Sequence, residues 1–250
     1  AHHADPTIGN NIGNTPLHVA LYFKQFAVAN RLMDVMPDVN LTNLGSALLK
    51  IDGYSAPLHY AMLYATVREV QHLIARGANI NQGDVNRSTA LHLAVQQNDL
   101  EKMHALHATE KLNIDAKNHD GRTPLHLACG NVTVAPTSVD MLLKYGASIL
   151  SCDLYGKTPA DCLIEAFLND PHHPQTRAKI ELFLRHTAQN PKQRSQLLAL
   201  MFQAVGAPGV SQDRATVLLG LCASPLGSQT PATETQHTSP VKISVAPAAL

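Results

Sequence analysis

Apolar residues recur at helical spacing in short paired runs along this chain. Leu91, Leu93, Ala94 and Val95 make one such face, and after the polar break Gln96-Gln97-Asn98-Asp99 a second begins, marked by Leu100, Met103 and Leu106, the spacing of a helix with one buried side. Val70, Leu73 and Ile74 repeat the second run upstream, and Met141, Leu142 and Leu143 repeat it downstream. Gly77 and Gly146 follow these runs, where a left-handed helix terminus suits a residue without Cβ. Turn-rich stretches such as Asn113 to Gly121 then lead into the next pair. The alternation predicts helix pairs joined by polar turns. Two later stretches, 192–205 and 213–222, carry Leu197, Leu198, Leu200, Met201, Phe202, Val217, Leu218 and Leu221 and predict helices that pack against the last pair. From Ala223 to Leu250 large apolar residues almost vanish in favour of Ser, Thr, Pro, Ala and Gln, which predicts disorder.

The pairs are in phase. Thr15-Pro16-Leu17-His18, Ala56-Pro57-Leu58-His59, Thr89-Ala90-Leu91-His92 and Thr123-Pro124-Leu125-His126 are copies of one tetrapeptide, and Thr158-Pro159-Ala160-Asp161 is a degenerate fifth. Their fourth positions lie 41, 33, 34 and 35 residues apart. Threonine suits the N-cap of each first helix, and proline behind it occupies a position whose N–H is dispensable. A helix pair this short cannot bury its own apolar face, so a period of this size means units stacked in a row.

Gly13–Ala20, Asp52–Ala61, Asp120–Ala128 and Leu142–Ala147 resemble the ankyrin repeat, matching its G-x-T-P-L-H-x-A, D-x-x-G and L-L-x-x-G-A motifs. The resemblance implies an all-α solenoid of helix–loop–helix units with β-hairpin fingers between them and a concave face made by fingers and first helices. It also implies that His18, His59, His92 and His126 brace their own turns, and that the chain binds protein and has no activity of its own. About five units are expected over 10–187, with C-terminal capping helices over 188–222 and a tail over 223–250. Three departures stand out. About eight extra residues, Leu44 to Ile51, lengthen the first finger; two more enter the fourth unit around Val132–Pro136; and the fifth unit exchanges Leu-His for Ala160-Asp161.

Composition narrows the function classes. Lys plus Arg equals Asp plus Glu, 19 each, and tryptophan is absent. Zero net charge gives no general field for nucleic acid or an anionic membrane, and no apolar run reaches the length of a membrane span. The four scattered cysteines, Cys129, Cys152, Cys162 and Cys222, read as free thiols of a reducing compartment such as the cytoplasm. A monomer is expected. The chain begins Ala1-His2-His3 without Met or a signal-peptide pattern, so further sequence upstream is an open alternative.

Neither a catalytic set nor a cofactor or metal site is assigned. His104 and His107 share a helix face without a supporting carboxylate or cysteine, and Cys152, Cys162, His172 and His173 match no tight zinc spacing. Cys129 near His126 reads as a small core residue. Binding residues are the better candidates: Tyr22, Phe23, Tyr60 and Tyr64 crowd aromatic groups onto the first two inner helices, where exposed rings make interface anchors, the alternative being that Phe23 and Tyr60 pack between units. Asp84, Arg87, His119 and Asp120, with Asn43, Lys50, Asn86, Lys117, Asp153 and Tyr155, stand at finger tips. Leu32 with Asp38-Val39-Asn40 resembles the pattern hydroxylated on asparagine in eukaryotic ankyrin fingers, and Asn81 lies in a poorer copy. A second functional reading takes the chain as the targeting part of a larger enzyme or of a bacterial effector delivered into host cytoplasm, since such effectors resemble it in divergent units followed by a polar tail.

Overall fold

The computed structural model describes residues 4–42, 55–208 and 210–223. Twelve helices and no strand occur among them. Five pairs come first: α1 (Pro16–Tyr22) with α2 (Phe26–Val35), α3 (Pro57–Tyr64) with α4 (Val67–Ala75), α5 (Ala90–Gln96) with α6 (Leu100–His107), α7 (Pro124–Gly130) with α8 (Pro136–Lys144), and α9 (Pro159–Asn169) with α10 (Pro174–Thr187). α11 (Pro191–Val205) and α12 (Gln212–Ala223) complete the chain. The inner helices α1, α3, α5, α7 and α9 pack in series, each on the next. One core runs through all five units, from Leu17 and Met33 through Leu58, Leu91 and Leu125 to Phe167 and Phe183.

The first four inner helices, seven or eight residues long, are too short to persist alone, and the repeated tetrapeptide supplies what they lack. In the first, third and fourth units the backbone N–H of Thr15, Thr89 and Thr123 donates to Nδ1 of His18, His92 and His126 at 3.2, 3.1 and 3.0 Å. The threonine hydroxyls lie 2.8, 2.9 and 2.8 Å from the same nitrogens. Ala56 offers only its N–H, at 3.0 Å from His59 Nδ1. The other ring nitrogen leaves the unit: Nε2 of His18, His59, His92 and His126 each donates at 3.0 Å to Ser55, Gln82, Arg122 and Lys157 carbonyls. Each histidine therefore caps its own helix and pins the approach to the following unit, a longer reach than turn bracing alone. In the fifth unit Asp161 accepts from the N–H and hydroxyl of Thr158 at 2.8 and 2.7 Å. It repeats the local cap without a donor to pass on.

The expected β-hairpin fingers are tight turns instead. Asn10, Asp84, Asn118 and Asp153 each use one Oδ1 to accept from the N–H groups two and four residues on. With these amides satisfied inside the turn, neighbouring fingers share single bonds, His119 N–H to Asn86 O at 2.7 Å and Leu154 N–H to Asp120 O at 3.0 Å, too few for a ladder. The long first finger, with Asn43, Lys50 and Leu44 to Ile51, lies outside the described residues, as does 224–250. The helices expected over 192–205 and 213–222 are α11 and α12. α11 packs on both α9 and α10, taking the place a sixth unit would hold, and Leu197, Met201 and Leu218 are buried there.

Candidate functional site

Helical spacing puts Tyr60 and Tyr64 on one side of α3, facing the end of α1, where Tyr22 and the C-capping Phe23 stand. Ring contacts join them in a continuous group: Tyr22 meets Phe23 and Tyr64 edge-on at centroid distances of 5.1 Å each, and Tyr64 meets Tyr60 at 6.1 Å. Their roles differ. Tyr60 is only 7% exposed; its ring meets His18 edge-on at 5.1 Å and its hydroxyl donates to Asn14 Oδ1 at 3.4 Å. It packs between the first two units. Tyr64 is half-buried, whereas Tyr22 and Phe23 are 50% and 64% exposed. The exposed part of the group is thus Tyr22, Phe23 and the outer part of Tyr64, on a floor held by Tyr60.

The finger residues form a second group at the approach to the third and fourth units. The Asp84 carboxylate is spent on its own turn, accepting from Asn86 and Ser88 N–H at 2.8 Å each. Arg87, His119 and Asp120 are exposed, and the backbone bonds through Asn86, His119, Asp120 and Leu154 tie them into one edge. Asp153 is buried, unlike the solvated tip its turn position suggests, and Arg122 Nε approaches its Oδ2 at 3.5 Å. Burial pushes that carboxyl up, but N–H bonds from Lys157 and Tyr155, with Arg122, outweigh it and hold it below the usual aspartate range. Leu154 and Tyr155 are instead the exposed groups of the fourth finger; the apolar Leu154 was missed because a turn residue between Asp and Gly carries no periodic signal.

Asn40 and Asn81 make equivalent bridges. Asn40 Nδ2 donates to Gly77 O at 3.1 Å while its Oδ1 accepts from Asn79 N–H at 2.7 Å; Asn81 pairs likewise with Lys111 O and Asn113 N–H at 2.8 Å each. Both side-chain amides are engaged in joining one unit to the next.

Sequence reasoning also missed the buried cations. Lys102 Nζ donates to Met62 O at 2.8 Å, and Lys179 Nζ donates to Ala128 O and Asn131 O at 2.7 Å each. Each ammonium comes from an outer helix and closes the carbonyl end of the preceding unit's inner helix, where a cation is favoured. Burial lowers the Lys179 ammonium to about 8. The same burial raises the neighbouring Cys129 thiol well above its ordinary range, the state of an inert core thiol rather than a nucleophile. Burial also holds the four repeat histidines neutral: His18 falls to about 4, and His59, His92 and His126 are lowered from 6.5. His104 and His107 are exposed on α6, and the His107 ring stacks on Tyr145 at 3.5 Å.

Residues 91–171 match the family model for ankyrin repeats, in three copies. Human (Homo sapiens) B-cell lymphoma 3 protein is 33% identical over 164 residues, covering 63% of this chain and 34% of that protein. The nuclear factor NF-kappa-B p105 subunit of Gallus gallus is 30% identical over 117 residues, 46% of this chain and 12% of that protein. The chain thus spans about a third or less of these curated relatives. Among solved structures, the crystal structure of the ankyrin repeat protein EF0377 superposes with a TM-score of 0.56 at 20% identity, over 79% of this chain and 85% of that one. The helix-pair stack, the in-phase capping histidines and these likenesses together establish that the chain has the ankyrin-repeat fold.

Proposed function

We propose that the chain is a non-enzymatic recognition module that docks a partner protein on Tyr22, Phe23 and Tyr64, with the Arg87–His119–Asp120 edge as a second contact. Ankyrin repeats generally mediate protein–protein interaction, and the observation that selects this surface is the joined aromatic group. Tyr22 and Phe23 carry large exposed rings that already touch each other and Tyr64. Rings held by neighbours lose little freedom on docking, and burying them is a large favourable term. The third unit places Gln96 and Gln97 at the registers of Leu63 and Tyr64, so the apolar patch grades into an amide surface suited to the polar rim of an interface.

The same surface would serve equally as the substrate-recognition part of a larger protein. The chain matches only a minor part of each relative above, so in those proteins the matching segment accompanies much other sequence. Delivery into a eukaryotic cytoplasm as a bacterial effector remains a narrower form of this reading, supported by the irregular units and the polar composition of 223–250.

Affinity purification from a eukaryotic lysate with quantitative mass spectrometry tests the proposal, comparing the chain with its Tyr22→Ala/Phe23→Ala/Tyr64→Ala variant. The enriched partner should fall at least about tenfold in the variant, as loss of interface anchors costs more than about 1.4 kcal/mol. Recovery of the same partners at equal abundance would place the binding surface elsewhere.

A further inference from the structure

Four places after its capping residue, each inner helix turns one residue toward the open side. Tyr22, Leu63, Gln96 and Glu165 hold that register in the first, second, third and fifth units, and in the fourth it is Gly130. Leu63 is half-buried and the others are exposed. The row of side chains is interrupted at Gly130.

A second departure meets the first. One place after the capping residue the units carry Val19, Tyr60, Leu93 and Leu127, but the fifth carries the smaller Cys162. A Cβ placed on Gly130 would stand 3.6 Å from Cys162 Cβ, so the two small residues meet between α7 and α9. A cleft of about 290 Å³ opens there, below the size of most ligand pockets and room for a single side chain. Leu127, Cys162 and Ala166 give it an apolar wall. His126 also lines it, with both ring nitrogens already engaged in its own bonds.

The rim is polar, and its charges are already answered. Both Glu165 oxygens accept from Lys157 Nζ, at 2.7 and 2.9 Å, and Arg122 Nε donates to Asp153 Oδ2 at 3.5 Å. Asn131 and Asn169 complete the rim, both exposed. Asn131 Oδ1 accepts from the N–H and hydroxyl of Thr133 at 2.9 and 2.8 Å, which leaves Nδ2 as its donor to an incoming group.

We propose that this cleft receives a tyrosine side chain of the partner protein, an inference that rests on the docking function above and adds a specific anchor to it. A charged occupant would lose its water without gaining a counter-charge, since each ion on the rim has its own partner. A wholly aliphatic occupant would cover the Asn131 amide and leave it unsatisfied. A phenol supplies both halves: an uncharged ring for the apolar wall and a hydroxyl for the amides of the rim. On the finger that holds Arg122, Leu154 and Tyr155 are 73% and 71% exposed, further apolar surface for the segment around that tyrosine.

Titration of the full 250-residue chain with N-acetyl-tyrosinamide, followed by backbone amide NMR, tests the proposal. Saturable shifts should appear at Gly130, Asn131, Cys162 and Asn169, with the millimolar dissociation constant expected of so small a ligand. N-acetyl-leucinamide and N-acetyl-glutamate should bind at least about tenfold more weakly. Gly130→Gln restores the row and should abolish the shifts, whereas Gly130→Ala, whose Cβ fits at ordinary contact distance, should keep them. Gly130 lies in a helix outside the left-handed region, so both variants should melt no lower than the parent. The proposal is overturned by shifts that persist in Gly130→Gln, by leucinamide or glutamate binding as tightly, or by no saturable shift at these amides. Its failure would leave the docking reading standing, because that reading is decided by the Tyr22→Ala/Phe23→Ala/Tyr64→Ala comparison, in which Gly130 is untouched.

Discussion

Arg87 holds φ at +58°, at a turn position given to Gly13, Gly121 and Gly156 in the equivalent fingers, where φ is +76°, +73° and +75°. A left-handed conformation costs a residue with Cβ about 1 kcal/mol, so Arg87→Gly should stabilise the chain by about that amount. Chemical denaturation at neutral pH checks this, and an unchanged or lowered midpoint would mean that contacts of the arginine outweigh the backbone gain. At this scale the sequence was only partly legible. The turn residues Asp84, Asn118 and Asp153 could be read as turn chemistry because their partners lie two and four positions away. Lys102 and Lys179 could not, because the carbonyls that hold them lie 40 and 51 residues distant. An amphipathic pattern assigns such lysines to the solvent by default. Tyr60 and Tyr64 share a helix face in sequence, and only packing against His18 and Asn14 separates the buried ring from the accessible one.

Four of the five inner helices, α1, α3, α5 and α7, depend on a neutral histidine. With Nε2 donating to a carbonyl of the next segment, Nδ1 is left to accept from the capping threonine or alanine N–H, and a second proton on the ring would destroy that acceptor. Burial opposes the charged form at all four sites and is the largest cause of each depressed value. The sign of the pH dependence follows. The unfolded histidines protonate near 6.5 while the folded ones resist, so falling pH favours the unfolded chain. Stability should be complete above about 6.5 and should decline from there toward about 4, where His18 itself titrates. Each histidine contributes up to about 1.4 kcal/mol per pH unit inside its window. Denaturant titrations at pH 7, 6 and 5 check this, and a flat profile across those values would mean the rings titrate normally. The helices themselves were legible to within a residue or two, since α11 and α12 start and stop close to the stretches 192–205 and 213–222 that periodicity marked. The fingers were not: side-chain bonds to turn amides replaced the strand ladder that the resemblance implied, and periodicity carries no information about that competition.

Across the whole molecule the repeat period was the most readable feature, because five in-phase copies leave no other packing for helices of this length. Less readable was the fifth unit. At the Ala160-Asp161 departure the structure shows an aspartate that caps its helix without reaching onward. The functional account rests on the exposed fingers and inner helices being ordered before any partner arrives, bolted from unit to unit by histidine and finger bonds. Hydrogen exchange read residue by residue tests that most directly. The amides of His119 and Leu154, on exposed fingers but bonded to Asn86 and Asp120, should exchange about as slowly as those of Thr89 and Thr123, which are bonded to buried His92 and His126. Exchange of the two finger amides at the rate of an unstructured peptide, with the helices still protected, would contradict the account.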